Sequence, residues 1–243
     1  MKTHAVALIA GLFAGAFASA AQAVAADVRA VSANDGFASP VLIVAPEYPG
    51  FVPGARATEV RINGTVTADG RLEGIDIPTP SGSERFVAAV RQVIELWRFR
   101  PAVSEQQCAP VAQKQSMFVW FDEKDGKPSV SVSMARQNPA AAKSTPKFSW
   151  QVRPTIDYPE AASTRGIEGA ADVAVRIDRA GEIVGKTLVY ATPHKMFGEA
   201  ALTGLLGAKL LANSPSGAAG CYIVPFAFCT GPAATVPNSA CRS

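Results

Sequence analysis

Histidine is scarce in this chain: His4 near the start and His194 are the two it has. A Ser-His-Asp relay needs an imidazole to take the proton from a hydroxyl nucleophile, so it would have to run through His194. The residues leading into it, Thr192-Pro193, read instead as a capping residue and a proline at the first position of a helix. An imidazole there sits on the surface. The four cysteines, Cys108, Cys221, Cys229 and Cys241, would act as nucleophiles only as thiolates. None belongs to a C-x-x-C pair and none has a histidine beside it, so no metal site is indicated. No glycine-rich phosphate loop is present, and no cofactor is implied. Asp69 precedes Gly70 directly and Asp178 precedes Gly181 by three positions, which is turn chemistry rather than acid–base chemistry. The chain does not read as an enzyme.

The cysteines take their meaning from the compartment. Met1-Lys2-Thr3-His4 is a short basic start, Ala5 to Phe17 is small and apolar, and Ala21-Gln22-Ala23 fits a leader-cleavage site. The apolar run falls short of the ~20 residues that cross a bilayer. Residues 1–23 are therefore expected to be a cleaved signal peptide, with export to the periplasm and Val24 as the new N-terminus, Ala26 being a close alternative end point. Four exported cysteines read as two disulfides. Tyr222 to Phe228 has the pattern of a strand, which would hold Cys221 and Cys229 about 26 Å apart. Bridged Cα atoms lie within about 7 Å. Cys241 is thus expected to pair with Cys221 or with Cys229, and Cys108 with the other. The formal net charge of +3 is spread along the chain without Lys/Arg runs, which argues against a nucleic-acid partner.

Two tryptophans could stack on a ligand. Trp97 shares a helical stripe with Phe86, Ala89, Val90 and Val93, which makes it core. Trp120 and Phe118 alternate with Met117, Val119 and Phe121 in a strand, so they face the other way. They either lie under a helix or neighbouring module, or form a groove for a partner.

The elements that would position these residues occur twice. Asp69-Gly70-Arg71-Leu72 with Gly74 returns 111 residues later as Ala180-Gly181-Glu182-Ile183 with Gly185, and Phe86 returns as Phe197. Val60, Ile62 and Val66 alternate with polar residues as a half-buried strand, and Asp69-Gly70 turns into a second strand from Leu72 to Ile77. Ser81-Gly82-Ser83-Glu84 fits a capping box ahead of the helix that carries Phe86 and Trp97. Gln115 to Phe121 is the closing strand, and Asp125-Gly126 with Ser129–Met134 adds a further hairpin. The second copy runs Val173–Ile177, Ile183–Tyr190, a helix from His194 to Leu211, and Tyr222–Phe228. The expected class is α+β: two tandem modules at 44–134 and 148–229, each strand-strand-helix-strand with a three-stranded antiparallel sheet on a helix. A linker at 135–147 and a tail at 230–243 complete the chain.

These residues resemble, twice over, the TonB C-terminal domain family. Tyr48-Pro49 and Tyr158-Pro159 precede the first strand, the Asp-Gly hairpin follows, and Met196-Phe197-Gly198-Glu199-Ala200-Ala201 is similar to the family's Phe-x-x-Ala helix. Leu96-Trp97-Arg98-Phe99-Arg100-Pro101 looks like the family's closing motif, where the second copy has Ala208-Lys209-Leu210-Leu211 instead. The resemblance implies a last strand left as a sheet edge, beside which an extended segment of an outer-membrane transporter pairs by strand addition. Unlike TonB, this chain has a cleavable-looking leader and no proline-rich spacer.

The resemblance and the residues together lead to a non-catalytic periplasmic protein that binds a protein or peptide by edge pairing. The alternative is an envelope protein whose modules associate with each other or with the cell wall. In the second module Pro225 has no N–H and removes a donor from the ladder, whereas every donor of the first module's strand is present. The partner strand is therefore expected along Gln115, Ser116, Met117, Phe118, Val119, Trp120 and Phe121.

Overall fold

The computed structural model describes residues 21–25, 29–30, 37–50, 58–78, 84–135, 148–212 and 219–230. Two short strands come first, β1 (Ala21–Ala25) and β2 (Arg29–Ala30). The first module follows with β3 (Ser39–Leu42), β4 (Thr58–Val66), β5 (Leu72–Asp76), helix α1 (Glu84–Val93), β6 (Arg98–Arg100), β7 (Ala102–Ser104), β8 (Ala109–Val111), β9 (Gln113–Lys124) and β10 (Lys127–Met134). The second has β11 (Phe148–Val152), α2 (Glu160–Ser163), β12 (Gly169–Ile177), β13 (Ile183–Thr192), α3 (Met196–Gly204), β14 (Lys209–Ala212) and β15 (Gly220–Thr230). The class is α+β with antiparallel sheets, as expected.

Each module closes around the same aromatic triad. Tyr48, Phe86 and Phe121 lie with ring centroids 6.3, 6.3 and 5.0 Å apart. Tyr158, Phe197 and Phe228 repeat this at 6.1, 5.7 and 4.8 Å. Alternating residues of β4 and β9 (Val60, Ile62, Met117, Val119, Phe121) meet the inner face of α1 (Phe86, Val87, Val90) in one core. Trp97 is fully buried there, and its indole N–H donates to Val44 O at 2.9 Å. Ala208 stands at the equivalent place in the second core.

The turn glycines show why the repeat keeps them. Gly70 and Gly181 have φ of +79° and +83°. A Cβ on either would stand 2.0 Å from a backbone oxygen, Phe99 O or Leu210 O. The strand after the helix packs directly onto the turn, sealed by Phe99 N–H to Gly70 O (2.9 Å) and Leu210 N–H to Gly181 O (3.1 Å).

The sheets are larger than three strands. In the first module the order is β10-β9-β4-β5. In the second, β15-β12-β13 is extended by β1 and β2, both paired to the outer side of β15. The helix expected from His194 to Leu211 is shorter: Thr192 ends β13, Thr192–Pro193 is a cis peptide, and Gly207 at φ +73° leads into β14. Residues 81–83 of the expected capping box lie outside the described residues, and Glu84 opens α1.

The modules touch. Cys108 and Cys221 form a disulfide, inside a cluster of Val103, Ala174, Val189 and Ile223. Arg100 and Asp172 pair at 2.8 Å, with side chains about four-fifths buried at 21% and 18% exposure. Arg176 Nη2 donates to Gln106 O at 2.7 Å.

Candidate partner-binding edges

The expected docking strand is not an edge. Gln115–Phe121 lie in β9, which pairs with β4 along one side and with β10 along the other. Val119 faces Val60 on one flank and Val132 on the other and is fully buried. Proline at Val119 therefore breaks the middle of a sheet instead of blunting its rim. The reason is the Asp125-Gly126 turn, with positive φ at both residues, which folds the next strand straight back. Val130, Val132 and Met134 reach the same core as Met117, Val119 and Phe121.

The open rim lies one strand out, on β10. Ala135 N–H donates to Ser116 O at 2.9 Å, and the register from Lys127 to Met134 has no shift. In an antiparallel ladder the direction of N–H and C=O alternates. Ser129, Ser131 and Ser133 therefore bond inward to β9, while Pro128, Val130, Val132 and Met134 direct their main-chain groups outward. Pro128 has no N–H, which leaves three outward donors. Among the described residues nothing pairs with this side.

The outer sheet face beside the rim carries the two aromatics whose place was open. Neither is under the helix, which packs on the opposite face. Trp120 is 39% exposed and sits across from Ser131; Phe118 sits across from Ser133. Arg61 places its guanidinium 5.2 Å from the Phe118 ring centre. Gln115 is buried and donates Nε2–H to Ser116 O at 3.0 Å, and Ser116 Oγ donates to Asn63 Oδ1 at 2.8 Å. The expected residues thus split: Phe118 and Trp120 present side chains, while Gln115, Met117, Val119 and Phe121 hold the sheet together.

The second module's last strand carries strands already. Thr230 N–H donates to Glu168 on the β12 side (3.0 Å), so Cys229, Ala227, Pro225 and Ile223 are the residues turned outward. β1 pairs from Phe226 to Thr230 and β2 at Tyr222 and Ile223, leaving the gap at Val224 and Pro225, where the outward donor is missing. Cys108 pairs with Cys221, one of the two arrangements left open. Cys229 is also disulfide-bonded, and Cys241 lies outside the described residues.

The remaining polar residues hold turns. Asp69 accepts from Thr67 Oγ1 and pairs with Arg71 at 3.2 Å; the Thr67 hydrogen bond above all, with its own backbone N–H and Arg71 adding, holds its carboxyl below the usual range. Asp178 accepts from Ala180 N and Glu182 N at 2.8 and 3.0 Å. His194 is exposed just ahead of α3. Among the described residues no three His, Cys, Asp or Glu side chains are grouped to hold a metal, and no helix is long and apolar enough to cross a membrane.

The family model described as Gram-negative bacterial TonB protein C-terminal matches residues 55–121 and again 154–229, more than half of the chain. The chain belongs to the TonB C-terminal family. Over 95 residues it is 35% identical to Protein TonB of Pseudomonas aeruginosa, covering 38% of this chain and 27% of that protein. The match therefore spans about a quarter of the relative's length. The two TonB-type matches end within β9, at Phe121, and within β15, at Cys229, and in both modules a further strand lies against that strand's outer side. The Asp125-Gly126 turn marks the β10 hairpin in the sequence, but the hairpin's place outside β9 shows only in the pairing.

Proposed function

We propose that this is a non-catalytic TonB-like protein of the periplasm that captures an extended segment of a partner protein by strand addition. An outer-membrane transporter of the TonB-dependent kind is the leading candidate partner. The observation that carries the reading is the row of outward main-chain groups at Val130, Val132 and Met134, beside the exposed Trp120. A strand added there gains main-chain hydrogen bonds, and the short Ser129, Ser131 and Ser133 side chains leave Phe118 and Trp120 within reach of its longer side chains. The expected site at Gln115–Phe121 becomes the second row, supplying rings and not the ladder. Family membership supports the class of activity, and the scarcity of histidine and the turn roles of Asp69 and Asp178 support the absence of catalysis.

An array of peptides from the periplasmic N-termini of outer-membrane transporters tests this directly. Val132→Pro should weaken the best binder about tenfold, because it removes one outward donor and adds a ring at the rim. Val132→Ala keeps the donor and should retain binding. No binding by any array peptide, or equal affinity for Val132→Pro and the parent, would refute the reading. The second reading, an envelope protein whose modules bind each other, is favoured by one observation: the Cys108–Cys221 bridge and the Arg100–Asp172 pair already join them. It predicts no peptide binding at all.

A further inference from the structure

The second module's rim is closed by a piece of chain that lies before the first module. Ala21, Gln22, Ala23, Val24 and Ala25 pair antiparallel with Thr230, Cys229, Phe228, Ala227 and Phe226. Arg29 and Ala30 continue on Ile223 and Tyr222. Among the described residues, both module cores are built from position 38 onward. What Ala21–Ala25 and Arg29–Ala30 add is therefore a ladder along β15.

This cap is held differently from the one in the first module. β10 follows β9 through a two-residue turn and makes eight uninterrupted pairs. The N-terminal segment reaches β15 from 192 to 209 residues away, in runs of five and two pairs, and Pro225 breaks the ladder between them. Short runs closed through a long loop carry a larger entropic cost per bond. The expected leader-cleavage point after Ala23 also falls inside β1. Cleavage there removes the partners of Phe228, Cys229 and Thr230 and leaves Val24, Ala25, Arg29 and Ala30 in place. Of the outward-turned residues, only Cys229 loses its pairing.

We propose that Ala21–Ala25 and Arg29–Ala30 are a built-in cap for the second module, and that trimming the leader frees the Cys229 end of the edge for an extended, small-side-chain segment arriving in trans. The trimming part rests on the export reading; the cap itself does not. The segment such an edge accepts has the chemistry of the cap, Ala-Gln-Ala-Val-Ala, uncharged and small.

Three forms of the protein starting at Ala21, Val24 and Val31 test it, with a synthetic peptide of residues 21–30 as the probe. Amide exchange is followed at Ile223, Ala227 and Cys229. In the Ala21 form all three amides are slow and the peptide binds weakly. In the Val24 form Cys229 alone exchanges fast. In the Val31 form all three are fast, and the peptide binds on the order of a hundredfold more tightly than to the Ala21 form, since a tethered strand competes at millimolar effective concentration. Binding must restore protection at Ala227 and Cys229, which separates it from binding at β10; Val132→Pro leaves it unchanged. Equal exchange in all three forms overturns the proposal. So does a folded Val31 form, judged by circular dichroism, that ignores the peptide. Concentration-dependent dimers of the Ala21 form with the same protection would also overturn it, because the strand would then come from a second copy.

Discussion

Gly70→Ala should be among the most damaging single substitutions in the first module, although it adds only one methyl group at a turn. Three costs combine. The residue sits at φ +79°, where an L side chain costs about 1–2 kcal/mol. Its Cβ would stand 2.0 Å from Phe99 O, against the 3.4 Å at which ordinary contact begins, so β6 must retreat by more than an ångström. That retreat breaks the 2.9 Å bond from Phe99 N–H to Gly70 O and leaves two groups short of partners, about 1–3 kcal/mol. The sum is about 2–5 kcal/mol, a large part of what a domain of this size has. Gly181→Ala should match it, because the same contact recurs at Leu210 O. Gly126→Ala is the control: φ is +72° with nothing within 4 Å, so only the backbone cost of about 1–2 kcal/mol applies. Urea unfolding of the three variants, followed by circular dichroism, decides it. If Gly70→Ala and Gly126→Ala lose the same stability, the packing of the post-helix strand onto the turn is not what keeps the glycine.

Replacing Cys108 and Cys221 together by alanine opens a 113-residue loop and should cost about 3–5 kcal/mol. Two urea transitions should appear where there was one; a single unshifted transition would show that the bridge does not couple the modules. Alkaline pH should unfold the second module first. Burial holds the Tyr158, Tyr190 and Tyr222 phenols above their ordinary value of 10.0, with Glu168, Asp172 and Glu105 adding to it respectively. The folded form then keeps protons the unfolded form has lost, so stability is full below pH 10 and falls as pH rises past it. Phenolate absorbance should rise together with loss of structure, and independent titration of these phenols in a folded protein would contradict this. Val119→Pro should unfold the first module while Val132→Pro leaves it folded, read by near-ultraviolet circular dichroism. Equal effects would mean that the ladder parity along β10 is wrong.

What could be read in the sequence was local or repeated. Period-two alternation at Val60, Ile62 and Val66 marked β4, and the Asp-Gly turn marked the hairpin. The 111-residue offset brought Phe86 and Phe197 to the same place in two cores. Trp97 declared itself core by its helical spacing. What could not be read was lateral pairing between distant segments. Nothing in Ala21–Ala25 points to Thr230, because main-chain ladders carry no side-chain code. The alternating serines and valines of β10 are too weakly apolar to show that the strand covers β9 and takes over its edge. Thr192-Pro193 has the composition of a helix cap, yet it ends β13, because the strand's pairing with β12 runs on through Thr192. The sheet edge was therefore legible to within one strand: Gln115–Phe121 does form a strand of this sheet, but with β10 laid along its outer side.

The most direct test of the binding account is residue-resolved amide exchange along β10, with and without the transporter-derived peptide that binds best. Before the peptide is added, Ser129, Ser131 and Ser133 should exchange slowly and Val130, Val132 and Met134 quickly. Adding it should slow Val130, Val132 and Met134 together and leave the interior β9 amides unchanged. If the peptide binds and those three amides stay fast, the partner does not add to this edge.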